Sequence, residues 1–470
     1  MLDLLIKNGC VISMNPDRDI IEHGAIAVEG DRIVAVGPVS QFESSVAKRV
    51  IDGTGMCIIP GLVDSHGHSG HGLTKTIAEN TPGVAWLSVV ENIYLRYSTE
   101  EFWHVEAQLS ALERLKFGVT CGYSMLGNNP RADDPVYAMR HLEGAMKVGI
   151  RDILGIGPAV PPWPKVHARW KGDTVERYES DLDDALKTTE KVLNAHAKGN
   201  YGKTLVHVSP ARVGKMPGLP LDQVVRQTDE VVRLAQEYGS VINSHASGGD
   251  IVFSHEHLNV LGPNVVLAHC NGISPEEVRI LADTGTHVSH SPSARAFARA
   301  RCPVPELIAA GVNVALGTDG TGPDRNYDMF KDMRAAFVVQ RTHFHDTSYM
   351  PPGKVFEMAT IDAARSLGLG DVIGSIEPGK YADLTLVNIE QPHLYPWTMP
   401  VHRMVYEAAG QDVDTVIVGG EVLMEGRKVL TVDERSVLRA AQREFELALS
   451  RSEAEKYTEI PPKFWGKVYY

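Results

Sequence analysis

Pro60-Gly61-Leu62-Val63-Asp64-Ser65-His66-Gly67-His68 is a short apolar run that ends on polar residues and delivers two histidines two positions apart. In extended backbone, residues two apart point the same way, so His66 and His68 can converge on one ion at the C-terminal end of a strand. Alone, such a pair is weak evidence for a metal, because core histidines produce it as often. Its weight comes from three later residues that also follow directly on apolar runs. These are His245 in Val241-Ile-Asn-Ser-His-Ala, His269 in Val265-Val-Leu-Ala-His-Cys and Asp319 in Val314-Ala-Leu-Gly-Thr-Asp-Gly. Imidazoles and a carboxylate form a nitrogen and oxygen donor set for zinc, iron, cobalt or manganese, with a position left open for water.

Outward from that stretch, short apolar runs alternate with longer helical stretches from about Pro60 to Gly370. This alternation predicts βα units around a parallel sheet. The candidate strands are Gly61 to Asp64, Thr120 to Ser124, Asp152 to Ile156, Thr204 to Val208, Val241 to Ser244, Val265 to Ala268, His287 to Ser289 and Val314 to Gly317. Eight strands suit an α/β fold of the (β/α)8 TIM-barrel type, in which residues at the strand C-termini share one face. Helices are expected at Thr99 to Leu115 and Leu221 to Glu237, each with an apolar stripe.

The two ends of the chain have a different texture. Leu4 to Ile6, Ala25 to Val28 and Ile33 to Val36 are β-like runs separated by turns, and β texture returns in Gly374 to Asn388 and Thr415 to Leu423. The expected organisation is therefore 1–59 and 371–430 as two parts of one small β-sandwich, 60–370 as the barrel, and 431–470 as a C-terminal helix, over Val432 to Glu455, with an aromatic tail.

Composition narrows the function classes. The 470 residues carry a formal charge of −13 and lack a basic run, which argues against a nucleic-acid partner. No apolar stretch reaches the ~20 residues of a membrane span. Met1-Leu2-Asp3-Leu4-Leu5-Ile6-Lys7 lacks a basic region ahead of its short apolar segment, so a cytoplasmic protein is expected rather than a secreted one. Five dispersed cysteines with no Cys-x-x-Cys pair argue against a thiolate zinc site or a disulfide framework.

In order along the chain, Pro60 to His68, Ser244-His245-Ala246, Ala268-His269-Cys270, His290-Ser-Pro-Ser and Leu316-Gly-Thr-Asp319-Gly resemble the amidohydrolase superfamily, as do the opening Asp3-Leu-Leu-Ile-Lys-Asn-Gly and the closing Gly374 to Leu384. The resemblance runs over nearly the whole chain. It implies that His66, His68, His245 and Asp319 ligate one divalent metal ion per subunit, zinc first, with iron, cobalt or manganese as alternatives. It further implies that His269 stands beside the water the metal activates and that Asp319 takes that water's proton. Superfamily members with two metals carry a carboxylated lysine after strand four, and Leu205-Val-His-Val-Ser-Pro-Ala-Arg has none there. A homo-oligomer acting on a small-molecule substrate is expected by the same analogy.

Within the superfamily, Leu316 to Gly320 followed by Tyr327-Asp-Met-Phe-Lys-Asp-Met-Arg is similar to the group of guanine and aminopurine deaminases and triazine hydrolases. Those enzymes place a glutamate three residues after the strand-five histidine, to protonate a ring nitrogen. The position here is Gly248. That departure, with His71 in His68-Ser-Gly-His71-Gly, looks more like the phenylurea and molinate hydrolases. The expectation is thus hydrolysis of an exocyclic carbonyl C–N or C–S bond in a urea, carbamate or thiocarbamate. The alternatives are a deaminase or dechlorinase of an aromatic heterocycle and, more remotely, a non-catalytic assembly protein. His71, His290, Phe253, Asp250, Trp86 and Tyr123 are the candidate substrate contacts, with Asp250, His255 and His257 as a candidate proton relay. His207 is one residue out of step with the strand-four histidine of the superfamily.

Overall fold

The computed structural model describes residues 1–81, 85–200, 202–296 and 300–468. All eight expected strands form, as Leu62–Asp64, Val119–Met125, Arg151–Ile156, Leu205–Val208, Ile242–Ser247, Val265–Asn271, His287–His290 and Val314–Leu316. They pair in parallel in chain order. The first strand meets the eighth through Ser65 N–H to Leu316 O (3.0 Å) and Asp319 N–H to His66 O (2.8 Å), which closes the ring. This is a (β/α)8 barrel.

The helix expected over Thr99 to Leu115 spans Glu100–Lys116. The Thr99 side chain accepts from the Phe102 N–H, with Glu100 and Glu101 in the first turn and Arg114 and Lys116 in the last, an arrangement that suits the helix dipole. Leu221–Glu237 has the expected bounds and buries Val224, Val231, Leu234 and Ala235. The C-terminal helix, Glu434–Ser452, packs on Ala85–Arg96 and Glu100–Lys116.

Both ends of the chain build a nine-stranded sheet. Its join is the antiparallel pair Met56–Pro60 and Leu384–Asn388, so the strand that leads into the barrel is held by the segment that returns from it. Two expectations are corrected here. Gly374 to Asp383 is not strand: it threads along the first hairpin, Gly379 N–H donating to Ile33 O and Ala382 N–H to Asp31 O, and the strand begins only at Leu384. A two-stranded ribbon, Lys165–Lys171 with Thr174–Ser180, interrupts the βα alternation after the third barrel strand. Among the described residues no helix is long and apolar enough to cross a membrane.

Candidate active site

His66 and His68 leave the end of the first strand, His245 lies in the fifth, His269 in the sixth and Asp319 just past the eighth. The structure brings all five together. Ligand atoms of His66, His245 and His269, and those of His66, His68 and Asp319, lie within 4.8 Å of one another. Asp319 Oδ1 is 3.0 Å from His68 Nε2 and 3.8 Å from His66 Nε2, while Oδ2 is 3.8 Å from His269 Nε2. His269 and Asp319 both have positive φ, 73° and 63°, a conformation that costs a non-glycine residue ~1–3 kcal/mol and tends to gather at functional sites.

The protonation pattern fits a cation. The Nδ1 of His245 lies 2.7 Å from the Ala211 carbonyl and the Nδ1 of His68 lies 3.3 Å from the Gly127 carbonyl. A carbonyl only accepts, so each Nδ1 donates to it, and a ring in its neutral form then keeps its lone pair on Nε2. Those two Nε2 atoms face each other at 3.2 Å. Both ring nitrogens of His66 and of His269 are buried with no hydrogen-bond partner. Burial pushes His245 down to about 3 and holds His66 and His269 well below the usual imidazole range, the neutral form a metal needs. Burial alone would raise the Asp319 carboxyl, but its surroundings, the permanently charged Arg295 among them, hold it well below its ordinary value.

A buried polar frame sets these positions. Arg114, fully buried, donates from Nε and Nη2 to Asp64 Oδ2 at 3.1 and 3.0 Å, and also to Tyr123 O and Ser124 Oγ. Asp64 in turn accepts from the Thr318 N–H and hydroxyl, both at 2.9 Å, so one ion pair couples the end of the first strand to the residue before Asp319. Ser69 bridges Glu106 and His141, whose Nε2 reaches Asp152 at 2.9 Å. Glycine permits the close approach: a Cβ at Gly317 would lie 2.7 Å from His66 Cβ, and one at Gly320 would press into the His71 ring.

Two cavities, of about 190 and 380 Å³, open beside the cluster and share Asn128 and Arg295. The first is lined by His68, His71, Trp86, Leu87 and Asp319 among others, the second by Arg212, His245, Ser247, His269 and Asn271. Of the candidate substrate contacts, His71 and Trp86 thus reach a cavity. Tyr123 does not: it is buried inside the barrel, its ring 6.0 Å from that of His66 and its hydroxyl on Ser209. Phe253 sits on the short helix Asp250–His257, which turns it onto His257 and the core. Asp250 is buried and binds Arg212, Ser247 and the Lys215 N–H rather than facing a cavity. His255 and His257 are exposed, so no relay connects them to the cluster. His290 and His207 are buried, and His290 Nε2 and His207 Nδ1 are unpartnered among the described residues; neither lines either of these two cavities. Arg212 and Arg295 were not anticipated, because a single basic residue in a connecting segment carries no periodic signal.

Five such side chains on the C-terminal rim of a (β/α)8 barrel define a metal-dependent hydrolase, and the chain belongs to the amidohydrolase family, whose model matches residues 57–423. A 5-methylthioadenosine/S-adenosylhomocysteine deaminase of Desulforudis audaxviator (strain MP104C) is 32% identical over 94% of this chain and 97% of its own. A 5'-deoxyadenosine deaminase of Methanothermobacter thermautotrophicus is 30% identical over 90% of this chain and 94% of its own. Among solved structures, an adenosine deaminase from Xanthomonas campestris with bound zinc superposes with a TM-score of 0.82 at 23% identity, covering 96% of this chain and 99% of that one. A point mutant of atrazine chlorohydrolase from Arthrobacter aurescens TC1, complexed with zinc and atraton, gives 0.81 at 22%, covering 94% and 100%. These relatives bear the names of ring-directed enzymes, so they lend no support to the expected phenylurea and molinate branch.

Proposed function

We propose that the protein hydrolytically deaminates an amino-substituted purine nucleoside or a closely similar heterocycle. The observation that carries this reading is the likeness, along nine-tenths or more of both chains, to proteins named as deaminases of adenosine derivatives. The urea and carbamate reading becomes the second one.

His66, His68, His245 and Asp319 would hold one divalent ion, with zinc the first choice. Such an ion, when bound, supplies a Lewis acid that lowers the pKa of a water towards about 7. Asp319 Oδ1 is engaged by the Gly320 N–H at 2.8 Å, which leaves Oδ2 to take the proton of the attacking water and return it to the departing amine. His269, neutral and 3.8 Å from Oδ2, orients that water or the oxygen it becomes. Trp86 and Leu87 give the ring an apolar wall.

Gly248 is the observation that keeps the second reading alive. A Cβ there would press into the Gly272 carbonyl, so no carboxylate fits the position without backbone movement. A ring nitrogen would then meet only hydrogen-bond donors of the second cavity, Asn271 or Arg295, neither of which can release a proton, so its proton would have to come from the Asp319 carboxyl, whereas attack on an exocyclic carbonyl needs no ring protonation. The deciding test is product analysis of the metal-loaded protein with 5'-deoxyadenosine, 5'-methylthioadenosine and an N-aryl-N′,N′-dialkylurea. Ammonia release that disappears in His245→Ala supports deamination. Aryl amine release without ammonia overturns it in favour of the second reading.

A further inference from the structure

Arg295 ends the four-residue helix Pro292–Arg295 after the seventh strand and lies on the wall common to both cavities. Its Nε is buried without a hydrogen-bond partner, and among the described residues no carboxylate lies within ion-pair distance of it. Arg212, which follows the fourth strand, lines the second cavity, and its Nε is also buried and unpartnered. Its Nη2 is anchored by Asp250 Oδ2 at 2.6 Å and Ser247 Oγ at 3.2 Å. Asp250 is itself saturated by the Ser247 N–H, the Ser247 hydroxyl and the Lys215 N–H. It therefore fixes Nη2 of Arg212, a residue that lines the second cavity.

Guanidinium groups held partly out of water with open donors call for a planar anion, which two such forks can grip through paired hydrogen bonds. Shape sets the class of anion. Arg212 is offset by Asp250, and the carboxylate that feels the charge of Arg295 is Asp319, which belongs to the histidine cluster, so what the two forks offer is planar paired donors, a match for a carboxylate rather than for a tetrahedral phosphate. We propose that Arg295 and Arg212 form a carboxylate subsite, so that the substrate carries a carboxylate on the part of the molecule away from the Trp86 wall. This rests on the reading of the histidine and aspartate cluster as the hydrolytic centre, and it holds for a heterocycle or a urea alike.

The test is isothermal titration calorimetry on the metal-loaded full-length protein at pH 7, with benzoate, benzamide and inorganic phosphate as probes. The wild type should bind benzoate at least ~10-fold more tightly than benzamide and more tightly than phosphate, with the preference cut to ~3-fold or less in Arg295→Gln and weakened in Arg212→Gln. Arg295→Lys, which keeps the charge and loses the fork, should fall between and serves if the glutamine variant fails to fold. Equal affinity for benzoate and benzamide, tighter phosphate binding, or a preference unchanged in Arg295→Gln and therefore due to the metal, would each overturn the assignment. Because binding is read without turnover, a failure to release ammonia or amine from any substrate counts against the proposed function alone and leaves this result standing.

Discussion

Asp332 offers a sharp check on the electrostatics around the cavity mouth. It is buried, and its Oδ1 accepts from the Ser293 N–H (3.3 Å) and hydroxyl (2.6 Å), tying down the short helix that carries Arg295. Burial pushes its pKa from 3.8 up to about 7, against the opposing pull of the Ser293 bonds. The folded protein thus holds this proton between about pH 4 and 7, where the unfolded chain has released it. Stability is highest below pH 4 as far as this group is concerned, falls as pH rises through that window and levels off above about 7. A gap of about three pH units corresponds to about 4 kcal/mol lost across the window, as an upper bound. Asp332→Asn keeps an acceptor for Ser293 and removes the titration. Urea unfolding at pH 5 and pH 8 should show the variant gaining on the wild type by at least ~2 kcal/mol at the higher pH. A wild type and variant that differ by the same amount at both values would refute the reasoning.

Arg114→Met strands the buried Asp64 carboxylate and should cost about 3–5 kcal/mol by denaturant unfolding, with metal affinity weakened ~10–100-fold because Asp64 no longer fixes Thr318 beside Asp319. Asp319→Asn should lower kcat by about 10²–10⁴-fold, measured as product release, and a change below tenfold would remove Asp319 from proton transfer. Chelation should lower the thermal midpoint and abolish activity, both restored by about one equivalent of zinc per chain, since the ion binds only the folded state; two equivalents would contradict a single-ion site. Gly248→Ala should destabilise by about 1–3 kcal/mol through overpacking on Gly272, and an unchanged unfolding midpoint would show that the backbone there yields easily.

The strand ends were readable because each chemical residue follows an apolar run long enough to be a strand, and the barrel then aligns those ends on one face. Side-chain direction was not. Tyr123 alternates with its neighbours as a pocket residue would, yet in a closed barrel inward-facing means packed beneath His66 rather than open to a ligand. Phe253 escapes a sequence reading because the turn after His245 starts a helix whose N-cap, Gly249, has φ 89° and rotates that side chain onto the core. The Arg114–Asp64 pair joins residues fifty positions apart in sequence and leaves no local pattern. Gly248 reads in sequence as a missing acid, and the close approach of Gly272 that gives the glycine its steric reason appears only in three dimensions.

The seam where the first strand meets the eighth also has a meaning in time. His66 leaves the ribosome long before Asp319, and at ordinary elongation rates the intervening stretch takes about 13–50 s to synthesise. Through that interval the earliest ligands stand at an unpaired strand edge, and the leading strand Met56–Pro60 still lacks its partner Leu384–Asn388. An ion seated on the full set of donors therefore marks a chain whose translation has passed residue 319, and it staples the last-made part of the barrel to the first.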